Sequence, residues 1–345
     1  MLQLTQINIY PVKSLDGYSP TAAIVEKRGL QYDRRWMLTD TEGVFMTQRT
    51  NGKMTLLQAI VEDNALIIRE KQDHNNSIKI PIDAVFNQSN GEVTSINVQI
   101  WDDTVKAVRV SEEADAWLSA FLGKKCHLVT MPDTTNRRVD EGYNTGDDVV
   151  SFADGYPFLI IGEASMQELN TRLDTPLSIR RFRANFIFNG GEPFQEDDFK
   201  AFKIGDIDFI GVKNCARCVL ITRDPDTGEK GKEPLQTLNT YRQKGTKTLF
   251  GQNVLWQYRT WDGNGLPEVK VGDSLLVQLT TLQDFKGDAP FPHVTISKGF
   301  YHSVEDLQPH YKYVITPSGE RFNRNDGLRI CPLNIFLEKE LPMLV

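Results

Sequence analysis

Short apolar runs separated by polar turns fill the first hundred residues, and this pattern constrains the fold more than any other feature of the chain. Polar turns are placed at 40–43 and 62–64, and a long polar stretch covers 70–77. The apolar or alternating runs lie at 4–10, 36–39, 65–68 and 98–101. Runs of this length that are bounded by turn residues are typical of β-strands. Several such strands at this spacing predict a barrel or a sandwich.

Helical periodicity predicts three short helices further along the chain. Ser111 is placed as the N-cap of the first, which buries Ala114 and Leu118 and ends at Gly123. The second is predicted at 163–173, and the third has Pro234 in its first turn. Strands are predicted at 186–188, 207–210, 218–221 and 254–258, followed by a turn and a closing strand within 269–277. This order predicts a β-rich α+β fold rather than regular βαβ alternation.

The character of the sequence changes near residue 281. The segment 284–292 is typical of a linker, and strand-like runs follow at 293–296 and 311–315. A length of 345 residues favours two or three structural units. The last unit is therefore expected to begin near this change.

Composition and charge argue against several classes of protein. A net charge of −7 is unlike that of a protein whose main task is to bind nucleic-acid phosphates. No apolar run reaches the ~18 residues of a membrane span, and the first residues lack the features of a signal peptide. Four cysteines without a disulfide-like framework indicate a reducing compartment, so a cytoplasmic location is expected.

The segment 214–220 carries the strongest chemical signal. Cys215 and Cys218 flank Arg217, and a neighbouring guanidinium favours the thiolate form, which binds soft metals and attacks electrophiles. Three other interpretations stay open: half of a zinc site, a redox-active dithiol, or two small buried hydrophobes. A second closely spaced cysteine pair is missing, and the two remaining cysteines are Cys126 and Cys331.

Three basic clusters accompany the cysteines. Lys13 and Ser14 follow the first strand, Arg34 and Arg35 precede another, and 180–183 precede a third. Taken singly, each cluster is typical of solvated or salt-bridged surface residues. Taken together with a reactive cysteine, they predict a pocket for a cofactor that carries phosphate and binds sulfur, since bidentate Arg and a Lys point charge suit phosphate oxygens.

The order of these motifs identifies a family. The chain resembles the MOSC-domain molybdenum enzymes with an N-terminal β-barrel domain, the group that includes the mitochondrial amidoxime-reducing component and its bacterial equivalents. The resemblance covers about residues 1–280. The motifs that carry it lie at 10–14, 33–36, 47–49, 163–165, 169–173, 182–185, 215–218, 224–228 and 250–252.

The resemblance implies a domain organisation. It predicts an N-terminal MOSC-type β-barrel domain at 1–105, packed with a MOSC β-barrel core at 106–280. The remaining residues, 281–345, form a small extension of unknown role. Some bacterial relatives carry a ferredoxin domain in this place, which needs four cysteines. Only Cys331 follows residue 280, so no iron–sulfur cluster is expected in this chain.

The resemblance also implies a molybdenum cofactor, in which a pyranopterin dithiolene and one protein cysteine hold the metal. Cys218 is the expected metal ligand and catalytic residue, while the role of Cys215 stays open. The other residues expected to bind the cofactor are Lys13, Ser14 and Arg34 at its phosphate, Arg183 and Asn185 at its pterin, and Arg49 as a further contact. One departure occurs at 155–156, where Gly and Tyr replace small hydroxyl residues of the family.

The implied activity is the reduction of N-hydroxylated compounds such as hydroxylamines, amidoximes and N-hydroxylated base analogues, a role in detoxification. The electrons are expected from a separate donor: a ferredoxin, a flavodoxin or a cytochrome-type reductase. No nucleic-acid or membrane partner is expected. An alternative is a cofactor carrier or sulfur-transfer module without turnover. Full sulfurases add a pyridoxal-phosphate part, for which this chain has no room.

Overall fold

The computed structural model describes residues 1–83, 95–143 and 146–278, and the strands at 313–316, 322–323 and 329–332. The chain divides into two compact units, Met1–Val277 and Gln278–Val345. None of the helices in the described part combines the length and the apolar character that a membrane crossing requires.

The first unit contains short strands and three α-helices among its described residues. The helices are α1 (Glu112–Leu122), α2 (Glu163–Thr171) and α3 (Leu235–Tyr241). The strands, in chain order, are β1 (Leu2–Ile7), β2 (Ala22–Glu26), β3 (Gly29–Leu30), β4 (Trp36–Thr39), β5 (Leu57–Glu62), β6 (Ala65–Glu70), β7 (Ser77–Pro81), β8 (Ser95–Ile100), β9 (Asp103–Arg109), β10 (His127–Thr130), β11 (Phe158–Gly162), β12 (Phe186–Asn189), β13 (Ala201–Ile204), β14 (Ile207–Arg217), β15 (Gln243–Lys244), β16 (Lys247–Trp256), β17 (Glu268–Lys270) and β18 (Ser274–Gln278).

A closed barrel of seven strands lies at the centre of this unit. The strand order is β11-β12-β1-β18-β13-β14-β16, and β16 pairs with β11 to complete the ring. The β11–β12 pair is parallel, whereas β1 runs antiparallel to both β12 and β18. Because a closed barrel leaves no unpaired edge, every strand in the ring satisfies its backbone groups on both sides. The predicted β-rich fold with a barrel core is confirmed.

Aromatic rings fill the interior of the barrel. Phe158, Phe186 and Phe209 are each at most 1% exposed, and their ring centroids lie 5.6 Å apart in each pairing. Full burial of a phenylalanine contributes roughly 1.5–3 kcal/mol. The cluster therefore holds β11, β12 and β14 together from the inside.

The rest of the first unit consists of three smaller sheets. Their strand orders are β4-β10-β9-β8, β5-β6-β7 and β17-β2-β3. A separate core beneath them includes Trp36, Leu66 and Leu118, all 0% exposed. Strand β17 comes late in the chain and pairs with β2, while β1 comes first and pairs within the barrel. Distant segments are thus joined in both parts of the unit.

The first predicted helix has the expected ends. The Ser111 hydroxyl accepts a hydrogen bond from the Ala114 amide at 3.0 Å, and Gly123 adopts a left-handed conformation with φ of 68°. Ala114 and Leu118 are buried as predicted. The second and third helices are confirmed as α2 and α3, with α2 ending two residues before the predicted end.

The predicted strand at 218–221 is wrong. Strand β14 ends at Arg217, and Val219–Thr222 form a 3-10 helix. The Thr222 hydroxyl donates to the Val219 carbonyl at 2.8 Å, and the Arg223 amide donates to the Leu220 carbonyl at 3.1 Å. These local bonds and the burial of Ile221 outweigh the strand propensity of the apolar run.

Strands also occur in the second unit. They are β19 (Tyr313–Thr316), β20 (Phe322–Asn323) and β21 (Arg329–Pro332), in the order β19-β21-β20. The strand predicted at 311–315 is confirmed as β19. The strand predicted at 293–296 lies outside the described residues.

Replacement of Ser111 by Ala should destabilise the protein by about 1 kcal/mol, because the Ala114 amide loses its capping acceptor. Urea denaturation followed by circular dichroism measures the change. Ser111→Thr keeps the hydroxyl and should remain close to the wild type. Equal stability of Ser111→Ala and the wild type would show that the cap contributes nothing.

Candidate functional site

Six segments from different parts of the chain meet at one cleft of the first unit. They are the segment after β1, the one before β4, the one before β11, the one before β12, the end of β14, and β16 at Asn253. The cleft encloses about 790 Å³ of space between protein atoms, including the part that is open to solvent. Six of the seven predicted site residues line it: Lys13, Ser14, Arg34, Arg183, Asn185 and Cys218.

An unusual backbone presents three of these residues. Ser14, Arg34 and Arg183 have positive φ values of 64°, 49° and 56°. Such conformations cost of order 1 kcal/mol or more for residues with a Cβ, and they cluster at functional sites. Strain at three predicted positions favours a functional role for the cleft.

Two guanidinium groups flank a single aromatic ring in the cleft. The Arg34 and Arg183 guanidinium carbons lie 4.4 and 4.2 Å from the centroid of the Tyr10 ring. Arg34 also donates to the Asp33 carboxylate at 2.5 Å and to the Arg183 carbonyl at 3.0 Å. The tyrosine thus serves as a common platform that keeps both cations in place.

Arg183 is short of compensating negative charge. Its guanidinium donates to the Leu15 carbonyl at 2.7 Å, but no carboxylate of the described residues lies within 4.0 Å of it. Burial lowers the pKa of Arg183, and the nearby Arg34 lowers it further. Because a desolvated charge is costly unless it is paired, this side chain favours an anionic or strongly accepting ligand.

Lys13 is a buried residue of the cleft wall. Its ammonium donates to the Phe152 carbonyl at 2.8 Å and to the Asp154 carboxylate at 2.6 Å. Burial lowers the pKa of Lys13 to about 8, although Asp154 acts in the opposite direction. Desolvation acts to raise the pKa of Asp154, but Lys13 and Arg49 hold it well below its usual range. Asp154 therefore stays ionised at neutral pH.

Cys218 lies at the mouth of the cleft with an exposed thiol. The Arg49 guanidinium donates to its sulfur at 3.3 Å. Arg49 is itself held against the Trp101 ring, at 4.4 Å from the centroid, and lies 3.9 Å from the Asp154 carboxylate. Arg49, the seventh predicted residue, is thus connected to the cleft through its hydrogen bond to Cys218. It also links this thiol to the Asp154 carboxylate, which forms an ion pair with Lys13.

The sulfur of Cys215 accepts a hydrogen bond from a different arginine. Arg217 donates to its sulfur at 3.0 Å and to the Phe182 carbonyl at 2.7 Å. Each cysteine of the pair is therefore bonded to its own guanidinium. Cys218 is exposed whereas Cys215 is half-buried, which distinguishes the two thiols as ligands for a group that enters from outside.

Asn185 is engaged in holding the backbone. Its amide nitrogen donates to the Asn8 carbonyl at 3.1 Å, and its oxygen accepts from the Leu159 amide at 3.3 Å. The side chain is nearly inaccessible, at 2% exposure. It shapes the wall of the cleft by tying β11 to the segment after β1, and its predicted contact with a pterin stays a prediction.

Asp154 and Trp101 are parts of this site that were not predicted from the sequence. Single charged or aromatic residues in separate loops carry no spacing signal. Gly155 does line the cleft, and the space around its Cα is open, with no atom within 4 Å of an added Cβ. Its backbone is thus accessible at the position where the sequence departs from the expected family pattern.

Among the described residues, no further ligands for the zinc alternative lie beside the cysteine pair. Cys126 is buried in the core beneath the smaller sheets, where burial raises its pKa. Within the part of the chain that the structure describes, no three His, Cys, Asp or Glu side chains are grouped to hold a metal ion. A metal at Cys218 would need most of its ligands from a non-protein group.

Comparison with known proteins agrees with the fold and the cleft. The family profile of the MOSC N-terminal beta barrel domain matches residues 1–125, and that of the MOSC domain matches residues 147–276. Mitochondrial amidoxime-reducing component 1 of Mus musculus is 31% identical over 283 residues, which cover 78% of this chain and 80% of that protein. The Homo sapiens protein of the same name is 29% identical over 282 residues, covering 78% and 81%.

A second group of relatives is longer. Molybdenum cofactor sulfurase of Danio rerio is 30% identical over 297 residues, which cover 81% of this chain but only 35% of the sulfurase. The chain thus spans about a third of that relative. The barrel, the cleft around Cys218 and both profile matches lead to one conclusion: the chain belongs to the MOSC family and carries the N-terminal β-barrel domain of that family.

Proposed function

We propose that the protein is a molybdenum-cofactor-dependent reductase of N-hydroxylated compounds. The observation that carries the proposal is the exposed thiol of Cys218 at the mouth of a cation-lined cleft. Thiolate is a preferred ligand of soft metal centres. The similarity to amidoxime-reducing components over most of both chains supports the same activity.

The residues of the cleft fit the cofactor. Its charged lining consists of four cations and the single carboxylate of Asp154: Lys13, Arg34, Arg183 and Arg217. Lys13 and Arg34 match a phosphate group, since ammonium and guanidinium N–H groups are strong donors to its oxygens. The poorly compensated Arg183 suits the polar edge of a pterin. Cys218 would supply the protein thiolate to the metal.

When bound, the cofactor supplies a metal centre that exchanges two electrons. The N–O bond of the substrate breaks, two electrons and two protons are taken up, and one water molecule forms together with an amine from a hydroxylamine or an amidine from an amidoxime. The chain contributes the thiolate of Cys218, oriented by Arg49, and a fixed set of cations around the anionic cofactor. The electrons come from a separate donor: a ferredoxin, a flavodoxin or a cytochrome-type reductase. A cytoplasmic role in detoxification is part of the proposal.

A cofactor carrier or sulfur-transfer module is the second candidate. The similarity to molybdenum cofactor sulfurases favours it, since 30% identity extends over 81% of this chain. The same thiol and the same cations would hold the cofactor in both cases. Only turnover of an N-hydroxylated substrate distinguishes the two candidates.

Cys218→Ala should lose both molybdenum and the reduction of benzamidoxime by a chemical electron donor, because the metal loses its protein ligand. Metal analysis by mass spectrometry and product chromatography measure the two effects. Cys215→Ala is the matched control and should retain molybdenum, since its thiol is bonded to Arg217 instead. Molybdenum without turnover in the wild type would favour the carrier. A wild type that holds no molybdenum after cofactor loading would contradict both candidates.

The affinity for the cofactor should fall as the pH rises from 7 to 9. Lys13 has a pKa of about 8 in the cofactor-free protein. It is charged below that pH and loses its attraction for phosphate above it, so the affinity should decrease by up to about tenfold per pH unit. Titration of the cofactor-free protein with molybdopterin at several pH values measures the slope.

Lys13→Arg keeps its charge over this range and should show a flat profile. Ser14→Ala is expected to weaken binding while keeping the slope of the wild type. A wild-type affinity that is constant between pH 7 and 9 would contradict the assignment of Lys13 to the phosphate.

A further inference from the structure

A second depression, the Cys218 groove, opens beside the thiol. It is wider and more open than the cleft, with about 900 Å³ of space by the same measure. Cys218 and Arg217 line both, so a molecule in the groove reaches the same sulfur. The other residues of its lining that bear on a ligand are Arg49, Trp101, Val219, Leu235 and Thr246.

The charged side chains that line the groove are positive. Its two charged lining residues are Arg49 and Arg217, and no carboxylate is among the described residues that line it. The nearest carboxylate on Arg49, that of Asp154, is already bonded to Lys13. Both guanidinium groups are fixed, Arg49 by the Trp101 ring and Arg217 by the Phe182 carbonyl. They cannot readily turn away from a ligand.

The rim of the groove adds further positive charge. Lys244 and Lys247 face each other across the β15–β16 pair, on either side of Thr246 in the turn. Both are exposed, and neither forms an ion pair with a described residue. Like charges around an open groove raise the local potential and disfavour cations that approach it.

The surface of the groove is partly flat and apolar. The Trp101 ring is 37% exposed and Val219 is 47% exposed, and Leu235 lies on the same lining. Exposed aromatic and aliphatic surface next to fixed donors suits a planar ligand with hydrogen-bond acceptors. These are the properties of an aromatic amidoxime or hydroxamic acid rather than of an aliphatic amine oxide.

We infer that the Cys218 groove selects planar N-hydroxylated substrates that are neutral or anionic and discriminates against cationic ones, with Arg49 and Arg217 as the specificity-determining cations. This inference rests on the proposed reductase function and names its substrate class. Binding of a cationic substrate would place a third positive charge beside two guanidinium groups, in a groove whose described lining contains no carboxylate.

Three benzamidoximes that differ only in their para substituent test the inference: a carboxylate, a carboxamide and a trimethylammonium group. With the cofactor-loaded protein, kcat/KM should be about tenfold higher for the carboxylate than for the trimethylammonium compound, with the carboxamide in between. The ratio should shrink as the salt concentration rises from about 0.01 to 1 M, because the charges become screened.

Thr246 allows a charge to be added without disturbing the cysteines. It lies exposed in the β15–β16 turn, where Asp and Asn are both well tolerated. Thr246→Asp should reduce the carboxylate preference about threefold. Thr246→Asn has nearly the same shape without the charge and should keep the wild-type ratio.

The outcomes separate this inference from the proposed function. If all three compounds are reduced with equal kcat/KM, or the cation is preferred, the inference is wrong and the reductase stands. If none is reduced, the reductase is wrong, and ligand-observed NMR of the same compounds with the cofactor-loaded protein decides the inference. Stronger binding of the carboxylate, reduced by Thr246→Asp, would support it. Equal binding of the three would overturn it.

Discussion

The pairing of β1 with β12 and β18 is the constraint on which the rest of the first unit depends. It places the first residues of the chain between two strands that lie near positions 186 and 275, and it completes a seven-stranded ring. The segments that leave these strands then emerge together. Lys13 and Ser14 follow β1, and Arg183 and Asn185 lead into β12, so barrel closure itself brings them to one cleft.

The crowded cations of the cleft lower the stability of the folded protein and raise its affinity for an anionic ligand. Arg34, Arg183 and Lys13 are crowded into a partly desolvated space, and burial lowers the pKa of Lys13 and of Arg183. Charges in such a place are costly unless they are paired. Asp33 and Asp154 offset part of this cost, and the Tyr10 ring supports two of the cations. The remaining positive charge is what an anionic cofactor would neutralise on binding.

Much of the fold was predictable because local signals agreed with the tertiary structure. Ser111 and Gly123 mark the ends of α1 since capping is a property of a few neighbouring residues. The run at 218–221 shows the limit of this reasoning. Its apolar residues favour a strand, but local hydrogen bonds and the burial of Ile221 turn the chain into a 3-10 helix instead.

The residues of the candidate site were also only partly predictable from the sequence. Lys13, Arg34 and Arg183 stand out in the sequence because they belong to clusters of cations, and the resemblance to the family singled out Cys218 of the cysteine pair. Asp154 and Trp101 could not be found in this way, since each is an isolated residue in a loop. Their importance lies in contacts: Asp154 joins Lys13 to Arg49, and Trp101 fixes Arg49 beside the thiol.

The sequence by itself determined that the chain is β-rich and that it carries a cysteine pair and basic clusters in an order that resembles a known family. These properties can be read from the order of the residues without any knowledge of their contacts. Only the tertiary structure decided which cysteine is exposed, which arginine bonds to which sulfur, and that a groove of one charge opens beside Cys218. Those features depend on the barrel, which brings together residues that lie more than a hundred positions apart in the chain.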